Sequence, residues 1–519
     1  MQTLNFDNQF IQTLPGDPLQ DNVRRQLRNA IWTHVSPAKV RAPYLVAYSE
    51  EAAELIGLTA QDCRSDIFLQ VFAGNDTVDG MATHATCYGG HQFGNWAGQL
   101  GDGRAINLGE VKHNGQHWML QLKGAGPTPF SRTADGLAVM RSSVREFLCS
   151  EAMFHLGVPT TRALSLIGTG EDVLRDMLYD GHPEHEPGAV VCRVSPSFVR
   201  FGHFQMLAAR NETDLLRTFT DYVIQRDFQH LVKLHTDPRE KYIAWFNEVC
   251  QRTAQLMVHW MRVGFVHGVM NTDNMSILGE TIDYGPYGWL EDFDPHWTPN
   301  TTDAANRRYR YDQQPAIGQW NLMQLANAVK PLLEDTKPLE AALSDYARNY
   351  EAQWQQMIAE KLGLSTFDAA LSNDLFAMLT EVETDMTLFF RALAKFDPAY
   401  PDRTDCFADA YYQPEQLTEA FASLRSQWLA QYVHVMQQQG VGDERRSAMN
   451  AVNPKFVLRN YLAQLAIDDA QQGDFAYVNK LLDVLRKPYD EQPANEIFAA
   501  KRPEWARTRV GCSMLSCSS

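Results

Sequence analysis

The sequence carries little positive charge for its length. Its 46 lysine and arginine residues stand against 63 aspartate and glutamate residues, which gives a formal net charge of −17. Nonspecific binding to nucleic acids or to anionic membrane surfaces needs a basic surface. We therefore expect neither a nucleic acid nor a membrane among the partners of this protein.

Long apolar runs are also missing. No stretch approaches the roughly 20 apolar residues of a membrane-spanning helix, and the first residues, MQTLNFDNQF, lack the basic and apolar regions of a secretory signal. These two features predict a cytoplasmic protein. A hydrophobic content of 45% nevertheless indicates a globular protein with a sizeable core.

Cysteine is sparse, with eight residues spread over 519, so the chain is not a disulfide-stabilised secreted protein. Cys512 and Cys517 are the exception, because they lie close together in the C-terminal GCSMLSCSS. An exposed, mobile pair of cysteines in a reducing compartment is a candidate redox element. An ordinary frayed terminus explains the same residues. The sequence also lacks zinc-type spacings, a GxSxG nucleophile elbow, a Walker loop and internal repeats.

The most informative segment is residues 265–285, FVHGVMNTDNMSILGETIDYG. An apolar run leads into a polar loop that carries Asn274, and a second short apolar stretch leads into Asp283. Mg2+ takes oxygen ligands and usually binds only one or two protein groups beside nucleotide phosphates. An Asn amide and an Asp carboxylate at adjoining loop ends therefore predict a metal-nucleotide site, although short Asn/Asp/Gly clusters are also typical of ordinary turns.

The same loop has the spacing of a protein-kinase catalytic loop but lacks its base. In kinases an Asp base precedes a metal-binding Asn by five residues, and a second metal-binding Asp follows in a DFG motif. Here Val269 occupies the position of the base, and a valine cannot accept a proton. Either the site is inactive, or another group such as the neighbouring carboxylate of Asp273 does the chemistry.

A second group of signals lies upstream, in residues 88–154. The run YGGHQFGNWAGQLGDGR holds six glycines and predicts a loop whose backbone can approach phosphates. Asn114-Gly115 between the alternating runs AINLGEV and HWMLQLK predicts a β-hairpin that ends at Lys123. A helical pattern through Val144, Phe147, Leu148 and Phe154 then carries Glu146.

This order of glycine loop, strand, turn, strand with Lys and helix with Glu is that of a kinase N-lobe, where a Lys–Glu ion pair fixes the phosphate-binding lysine. Lys123 and Glu146 would each be a solvated surface charge if taken alone. Arg193 and Arg200 follow in CRVSPSFVRFGHF and are suited either to bidentate phosphate binding or to surface salt bridges.

Beyond these motifs the chain reads as mainly helical. Residues 163–167 and 189–194 predict strands, residues 213–264 two long amphipathic helices, and residues 320–329 a further helix. Most of the chain to about residue 485 follows the same helical pattern, with polar connectors near 395–405 and 437–445.

Several long motifs together resemble one known family, selenoprotein O or SelO/YdiU. The resemblance covers nearly the whole chain and rests on YGGHQFGNWAGQLGDGR, LQLKGAGPTPFSR, the ADG before the Glu146 helix, HGVMNTDNMSI, IDYGP and the C-terminal CSS. It implies a pseudokinase without the usual catalytic Asp, in agreement with Val269. It further implies that ATP binds in a flipped orientation and that AMP is transferred to a Ser, Thr or Tyr hydroxyl of a target protein.

The resemblance also implies roles for individual residues. Asp273 matches the proposed base, Asn274 and Asp283 match the metal ligands, and Glu146 matches the ion-pair partner of Lys123. The positions that match nucleotide-binding residues of the family are Gly101, Gly103, Arg104, Lys123, Asp135, Gly136, Arg193, Arg200 and Asp283. Cys517 stands where the CSS ending suggests the selenocysteine of eukaryotic members, which makes redox control by Cys517, with Cys512 nearby, a hypothesis.

We therefore expect an α+β, protein-kinase-like fold of two lobes, with a mostly β N-lobe that includes the Glu-bearing helix, a helical C-lobe, and N-terminal and C-terminal extensions. The expected boundaries are 1–80 for the N-terminal extension, 81–210 for the N-lobe, 211–335 for the C-lobe, 336–490 for its helical continuation and 491–519 for the tail. A monomer is the default expectation.

The expected activity is that of a protein adenylyltransferase that uses ATP with Mg2+, or Mn2+ in its place, and can modify itself. UMP transfer from UTP and a kinase-like phosphotransferase are the alternatives within the same class. An inert nucleotide-binding scaffold and a thiol-redox protein that uses Cys512 and Cys517 are the alternatives from other classes.

Overall fold

The computed structural model describes residues 4–177, 180–512 and 514–516. Its strands are β1 (Trp32–His34), β2 (Tyr44–Tyr48), β3 (His84–Thr86), β4 (Gly89–Gln92), β5 (Asn95–Gln99), β6 (Ala105–His113), β7 (Gln116–Lys123), β8 (Arg162–Arg175), β9 (Glu184–Ser195), β10 (Phe265–Val266) and β11 (Gly288–Trp289).

Its helices are α1 (Gln9–Thr13), α2 (Glu50–Leu55), α3 (Ala60–Cys63), α4 (Asp66–Phe72), α5 (Met140–His155), α6 (Phe201–Ala209), α7 (Thr213–Asp227), α8 (Gln229–Leu234), α9 (Pro238–Val263), α10 (Gln314–Val329), α11 (Lys337–Leu362), α12 (Ala369–Glu381), α13 (Met386–Lys395), α14 (Glu419–Gln438), α15 (Arg445–Val452), α16 (Asn460–Gln471) and α17 (Ala476–Leu485).

The main sheet has the strand order β1-β3-β6-β7-β9-β8-β2, and all its neighbours run antiparallel. This confirms a mixed fold with an antiparallel sheet in the N-terminal part and helices in most of the rest. No helix in the described part of the chain is long and apolar enough to span a bilayer.

The two faces of the central strands differ in what covers them. Leu120, Leu122 and Val190 pack with the N-terminal helices α2 and α4, whereas Val191 packs with α5. Side chains alternate between the two faces along a strand. Lys123 at the end of β7 therefore lies on the face opposite Leu122, and Arg193 on β9 lies on the face of Val191. Lys123 is paired with Val191, so both charged residues lie on the face that α5 covers. The sheet thus directs its charged side chains toward α5.

The helical part surrounds α9, which is buried along most of its length. α9 ends at Gly264, whose φ of 75° suits the left-handed turn that follows a helix, and the chain enters β10. α16 and α17 return to the sheet-bearing part and pack against α5, so the last helices stabilise the helix that carries Glu146.

Several local predictions are confirmed. β6 and β7 form the predicted hairpin with His113 opposite Gln116, and Asn114 and Gly115 turn the chain at φ angles of 49° and 78°. The predicted strands lie within β8 and β9, and the predicted helix with Glu146 is α5. Phe154 departs from this pattern: it is 44% exposed and covers the guanidinium of Arg162, with 3.5 Å between its ring centroid and Cζ.

Two other predictions are corrected. Residues 213–264 form three helices rather than two, because the backbone leaves the helical conformation at Phe228 (φ −133°, ψ 44°), between α7 and α8. The predicted second helix is α9, where Asp237 accepts a bond from the backbone of Arg239 and Pro238 lies in the first turn. The glycine-rich run is not a single loop, because β4 and β5 form a hairpin that turns at Phe93 and Gly94.

Candidate functional site

A cavity of about 720 Å3 lies where the sheet, the glycine-rich segment and the loops after α9 meet. Candidates from distant parts of the chain line this one cavity: Gly101, Gly103, Arg104, Lys123, Asp135, Gly136, Arg193, Arg200, Asp273, Asn274 and Asp283. Glu146 lies behind it, as the buried partner of Lys123. Residues nearly 200 positions apart in sequence are therefore brought to one place.

Asp283 is the centre of the charged groups. Its carboxylate accepts bonds from Arg193 through Oδ1 and from Arg200 through Oδ2, and the Nζ of Lys123 lies 4.0 Å from Oδ1. The ion pair expected between Lys123 and Glu146 is present, with Nζ and Oε2 2.5 Å apart. Glu146 also accepts a bond of 3.1 Å from Arg193, so two carboxylates hold three buried cations.

The electrostatics of this cluster favour the charged form of Asp283. Burial by itself would raise the pKa of Asp283, but Arg200, Arg193 and Lys123 outweigh it and hold the pKa well below its usual range. Burial lowers the pKa of Lys123, and the charge of Glu146 opposes that effect. Asp283 is consequently an anion at neutral pH and a suitable ligand for a cation.

A row of hydrogen-bonded polar side chains, not predicted from the sequence, holds Arg193 in position on the sheet. Asn107, Gln121 and Arg193 lie directly opposite one another on β6, β7 and β9. Gln121 accepts a hydrogen bond from Arg193 and donates a hydrogen bond of 3.1 Å to Asn107. Asn107 in turn donates a hydrogen bond of 3.2 Å to Asp102, which lies between the two glycines of the GDG segment. We name these four residues the polar ladder. Its sequence signal is Gln121, a polar residue within the apolar stretch Trp118–Leu122 and two residues before Lys123.

Asp273 lies in a different environment from Asp283. It is 8% exposed, its Oδ1 is buried without a hydrogen-bond partner in the described part of the chain, and only Gln92 donates to Oδ2, at 3.4 Å. Burial raises the pKa of Asp273 to about 6. A carboxyl that titrates near neutrality and has a free oxygen is suited to accept a proton.

The hairpin β4–β5 covers the loop that carries Asp273. The backbone N–H of His91 donates to Thr272 Oγ1 at 2.7 Å, and that of Phe93 donates to Asn271 Oδ1 at 3.2 Å. A Cβ added to Gly90 would lie 2.5 Å from Asp273 Oδ1. Gly90 therefore permits close contact with the protein's own carboxylate, whereas the glycine-rich pattern predicted an approach to phosphates.

Asn274 and Asp283 fit a hard divalent cation by their chemistry. The amide nitrogen of Asn274 donates to the carbonyl of Val269 at 2.9 Å, which leaves its oxygen for another partner. Each oxygen of Asp283 accepts from one arginine and retains a second lone pair. His267 connects the two loops, because one ring nitrogen lies 2.9 Å from Ile282 O and the other accepts from Val269 N at 3.3 Å.

The glycine segment and the ADG segment form the opposite wall. Gly101 has a φ of 94°, and an added Cβ would lie 2.6 Å from the ring of Phe130, so only glycine fits there. Asp135, adjacent to Gly136, forms a bidentate ion pair with Arg175 at 2.8 Å. Its carboxylate is thus already partnered by an arginine of β8.

The C-terminal cysteines do not form an exposed pair in the described residues. Cys512 is 1% exposed within the core around α5 and α16, and burial raises the pKa of its thiol to about 12. The expectation of an exposed Cys512 is therefore wrong, because apolar side chains cover it. Cys517 lies outside the described residues, and redox control by Cys512 and Cys517 stays a prediction.

A family model described as "Protein adenylyltransferase SelO" matches residues 20–486. The chain belongs to the SelO family. The family resemblance inferred from the sequence motifs is thereby confirmed.

Members of the SelO family with curated descriptions match the chain over its full length. The proteins from Azoarcus sp. (strain BH72), Rhodopirellula baltica and Tolumonas auensis are each described as "Protein nucleotidyltransferase YdiU". They are 57%, 56% and 55% identical to this chain over 524, 539 and 523 residues, and each alignment covers at least 99% of both sequences. No segment of the site is therefore outside the alignment with these SelO relatives.

Proposed function

We propose that this SelO-family chain is a protein nucleotidyltransferase that transfers AMP from ATP to Ser, Thr or Tyr hydroxyls of target proteins, itself included, and releases pyrophosphate. We also propose that its sheet-bearing and helical parts correspond to the two lobes of a kinase-like fold. The family description and the names of the relatives support the nucleotidyl transfer.

One observation carries the proposal. The candidate phosphate-binding cations, the candidate metal ligands and an unpaired carboxylate with a pKa near 6 line the same cavity. A nucleotide-binding scaffold has no need of a buried carboxylate without a hydrogen-bond donor on one oxygen, which costs free energy. This arrangement favours an enzyme over the scaffold.

The binding step uses the buried cations. Lys123, Arg193 and Arg200 are held in place by Glu146 and Asp283, so they need little reorganisation when a triphosphate enters. In the proposed orientation they neutralise the charge that develops on the departing pyrophosphate. Gly101 and Gly103 allow the backbone to approach the nucleotide.

The transfer step uses Asp273. Its carboxylate takes the proton of the acceptor hydroxyl while the hydroxyl oxygen forms a bond to the α-phosphorus, and the bond from the α-phosphorus to the β-phosphate oxygen breaks. Pyrophosphate leaves with the electrons of that bond. Val269 lines the cavity where a kinase has its base, which argues against γ-phosphoryl transfer by the usual route.

A divalent cation fits the remaining donors. Asn274 and Asp283 would hold Mg2+, or Mn2+ in its place, and the ion would supply charge stabilisation for the phosphates. The protein's own contribution is to keep Asp283 ionised and to orient the Asn274 amide through Val269.

Label transfer tests the proposed function. The protein is incubated with Mg2+ or Mn2+, a generic acceptor protein and ATP labelled at the α- or the γ-phosphate, with α-labelled UTP in parallel. We expect α-label from ATP on protein and none in the Asp273→Ala variant. Label from γ-ATP would mean a kinase, stronger labelling from UTP would mean uridylyl transfer, and no label from any nucleotide would favour the scaffold.

A further inference from the structure

A short basic segment stands beside the site in this acidic protein. Residues 306–310, NRRYR, hold three arginines in five positions, and we name them the basic loop. Its central residue Tyr309 is 1% exposed, and its hydroxyl donates to Asn271 Oδ1 at 2.7 Å. The basic loop is thus attached directly to the loop that carries Asp273.

The basic loop borders a second cavity, of about 380 Å3. Arg308 and Arg310 line this cavity together with Phe93 at the tip of the hairpin β4–β5. Phe93 also lines the cavity that contains Asp273. The hairpin tip therefore separates two neighbouring cavities, and a polypeptide that enters the first can extend into the second.

The arginines of the basic loop differ in their partners. Arg310 pairs with Asp312 at 2.6 Å, and Asp303 is occupied by the backbone N–H groups of Arg308 and Tyr309 at 3.0 and 2.7 Å. Among residues 4–177, 180–512 and 514–516, neither Arg307 nor Arg308 has a carboxylate within the 4.0 Å of an ion pair. Within these residues, two arginines of the basic loop thus lie outside ion pairs, although the charge of the Asp303 carboxylate acts on Arg308.

Arg308 is also fixed in position. Its guanidinium lies 4.6 Å from the ring centroid of Trp320 and 5.8 Å from that of Tyr309, and a Cβ on Gly94 would lie 3.4 Å from its Cζ. Such stacking holds the planar group with little loss of freedom on binding. The Nε and Nη2 of Arg308 are buried without a hydrogen-bond partner in the described residues, and a guanidinium held in this way beside a cavity can attract a carboxylate by its charge.

We propose that the basic loop binds acidic side chains that flank the acceptor hydroxyl of the target protein. This inference rests on the proposed function, because it needs a protein acceptor at Asp273. In the proposed function the cations of the first cavity bind the nucleotide phosphates, so the second cavity, which Phe93 also lines, is left for the acceptor segment. Target sites with Asp or Glu a few residues from the hydroxyl are then preferred over sites with Lys or Arg.

Matched peptides test this preference. Two peptides share one Ser, one Thr and one Tyr and differ only in flanking Glu or flanking Lys residues, and transfer of α-label from ATP is measured for each. We expect wild-type kcat/KM to be about tenfold higher for the Glu peptide, and the double change Arg307→Glu with Arg308→Glu to reverse the order. The preference should also shrink as salt rises.

Two further variants keep the test independent of folding. Arg307→Glu alone changes an exposed side chain and should reduce the preference without loss of thermal stability. Arg239→Glu is the matched control. It changes an exposed arginine of α9 that pairs with Glu334 and lines neither cavity, so it should keep the wild-type preference.

Equal use of both peptides by the wild type, or an unchanged preference in the double variant, would overturn the inference. Absence of label on both peptides, together with absence of label on the protein itself, would instead count against the proposed function.

Discussion

Among single residues, Asp273 has an unusual environment for a carboxyl group. It is buried, one oxygen lacks a donor, and its pKa of about 6 exceeds that of an aspartate in an unfolded chain. The folded state therefore binds the proton more tightly than the unfolded state does. The contribution of protonated Asp273 to the free energy of unfolding is complete below the pKa of an unfolded aspartate and is lost as the pH rises through about 6.

Replacement of Asp273 by Asn is expected to separate activity from stability. Asn cannot accept the proton, so transfer should fall by roughly 10² to 10⁴-fold. At about pH 8 the free energy of unfolding should increase by up to roughly 3 kcal/mol, because no charge is buried, and the gain should disappear near pH 4. Chemical denaturation at both pH values, with a chelator present, measures this. A variant that is less stable than the wild type at alkaline pH would contradict the assigned environment.

At the scale of secondary-structure elements, the register of the strands determines the position of Arg193. The polar ladder places Gln121 between Arg193 and Asn107 because β7 pairs Gln121 with Arg193 on β9 and with Asn107 on β6, just before the β6–β7 register shifts between Asn107 and Gly109. Arg193 is thus positioned by a neighbour that does not line the cavity containing Asp273 and Asp283. A one-residue slip of β7 would turn Gln121 to the apolar face and remove the support.

Gln121→Leu should weaken the site through Arg193. The change leaves buried polar groups of Arg193 and Asn107 without partners, at a cost of about 1–3 kcal/mol in stability, and KM for the nucleotide should rise roughly tenfold as Arg193 loses its orientation. Steady-state kinetics and thermal melts measure both effects. Met119→Leu on the same strand conserves volume and is the control. Equal behaviour of the two variants would mean that Gln121 has no positioning role.

The hairpin β4–β5 is the element that sets the position of Asp273. Gly90→Ala adds a methyl group that would lie 2.5 Å from Asp273 Oδ1, so either the carboxylate or the hairpin must shift. We expect a loss of transfer of at least about tenfold with nucleotide binding retained, because the cations stay in place. Gly442→Ala, where an added Cβ meets nothing within 4 Å, is the control. Full activity of Gly90→Ala would show that the close contact is unimportant.

The two hairpins also illustrate how far the sequence predicts structure. β6–β7 is specified locally, since alternating side chains flank an Asn-Gly pair that tolerates positive φ. β4–β5 has few alternating side chains, and its inner strand is held by Asn271 and Thr272 from a loop about 180 residues away. Lys123 and Asp283 were predicted from motif order, whereas the roles of Phe93 and Arg308 depend on long-range pairing that no local pattern reveals. Gln121 gives only one local signal, a polar residue within an apolar stretch.

At the scale of the whole molecule, the C-terminal residues are integrated into the fold. α16 and α17 pack on α5, and Leu515 pairs with Asn300 beside the loop that contains Gly268. The end of the chain therefore supports both the Glu146 helix and the loop before Asp273. Removal of residues after about 455 is expected to affect the site as well as stability.

The burial of Cys512 leads to a prediction about its reactivity. With a pKa of about 12 and 1% exposure, the thiol should resist alkylation in the folded protein and react only after unfolding. Mass-spectrometric mapping after a short treatment with iodoacetamide measures this. Cys406, which is partly exposed, serves as the internal reference and should react faster. Rapid labelling of Cys512 would indicate that the tail opens readily.

The separation of charge between surface and site also affects the kinetics of association. The chain carries a net charge of −17, while Arg193 and Arg200, only 1% and 2% exposed, lie inside the cavity. A free nucleotide meets repulsion at long range and attraction only after entry. The rate of nucleotide association measured by stopped flow should therefore rise as salt screens the repulsion, whereas it falls with salt in proteins whose basic surfaces attract anions. A nucleotide whose charge is partly cancelled by a divalent ion should also enter faster than the free polyanion.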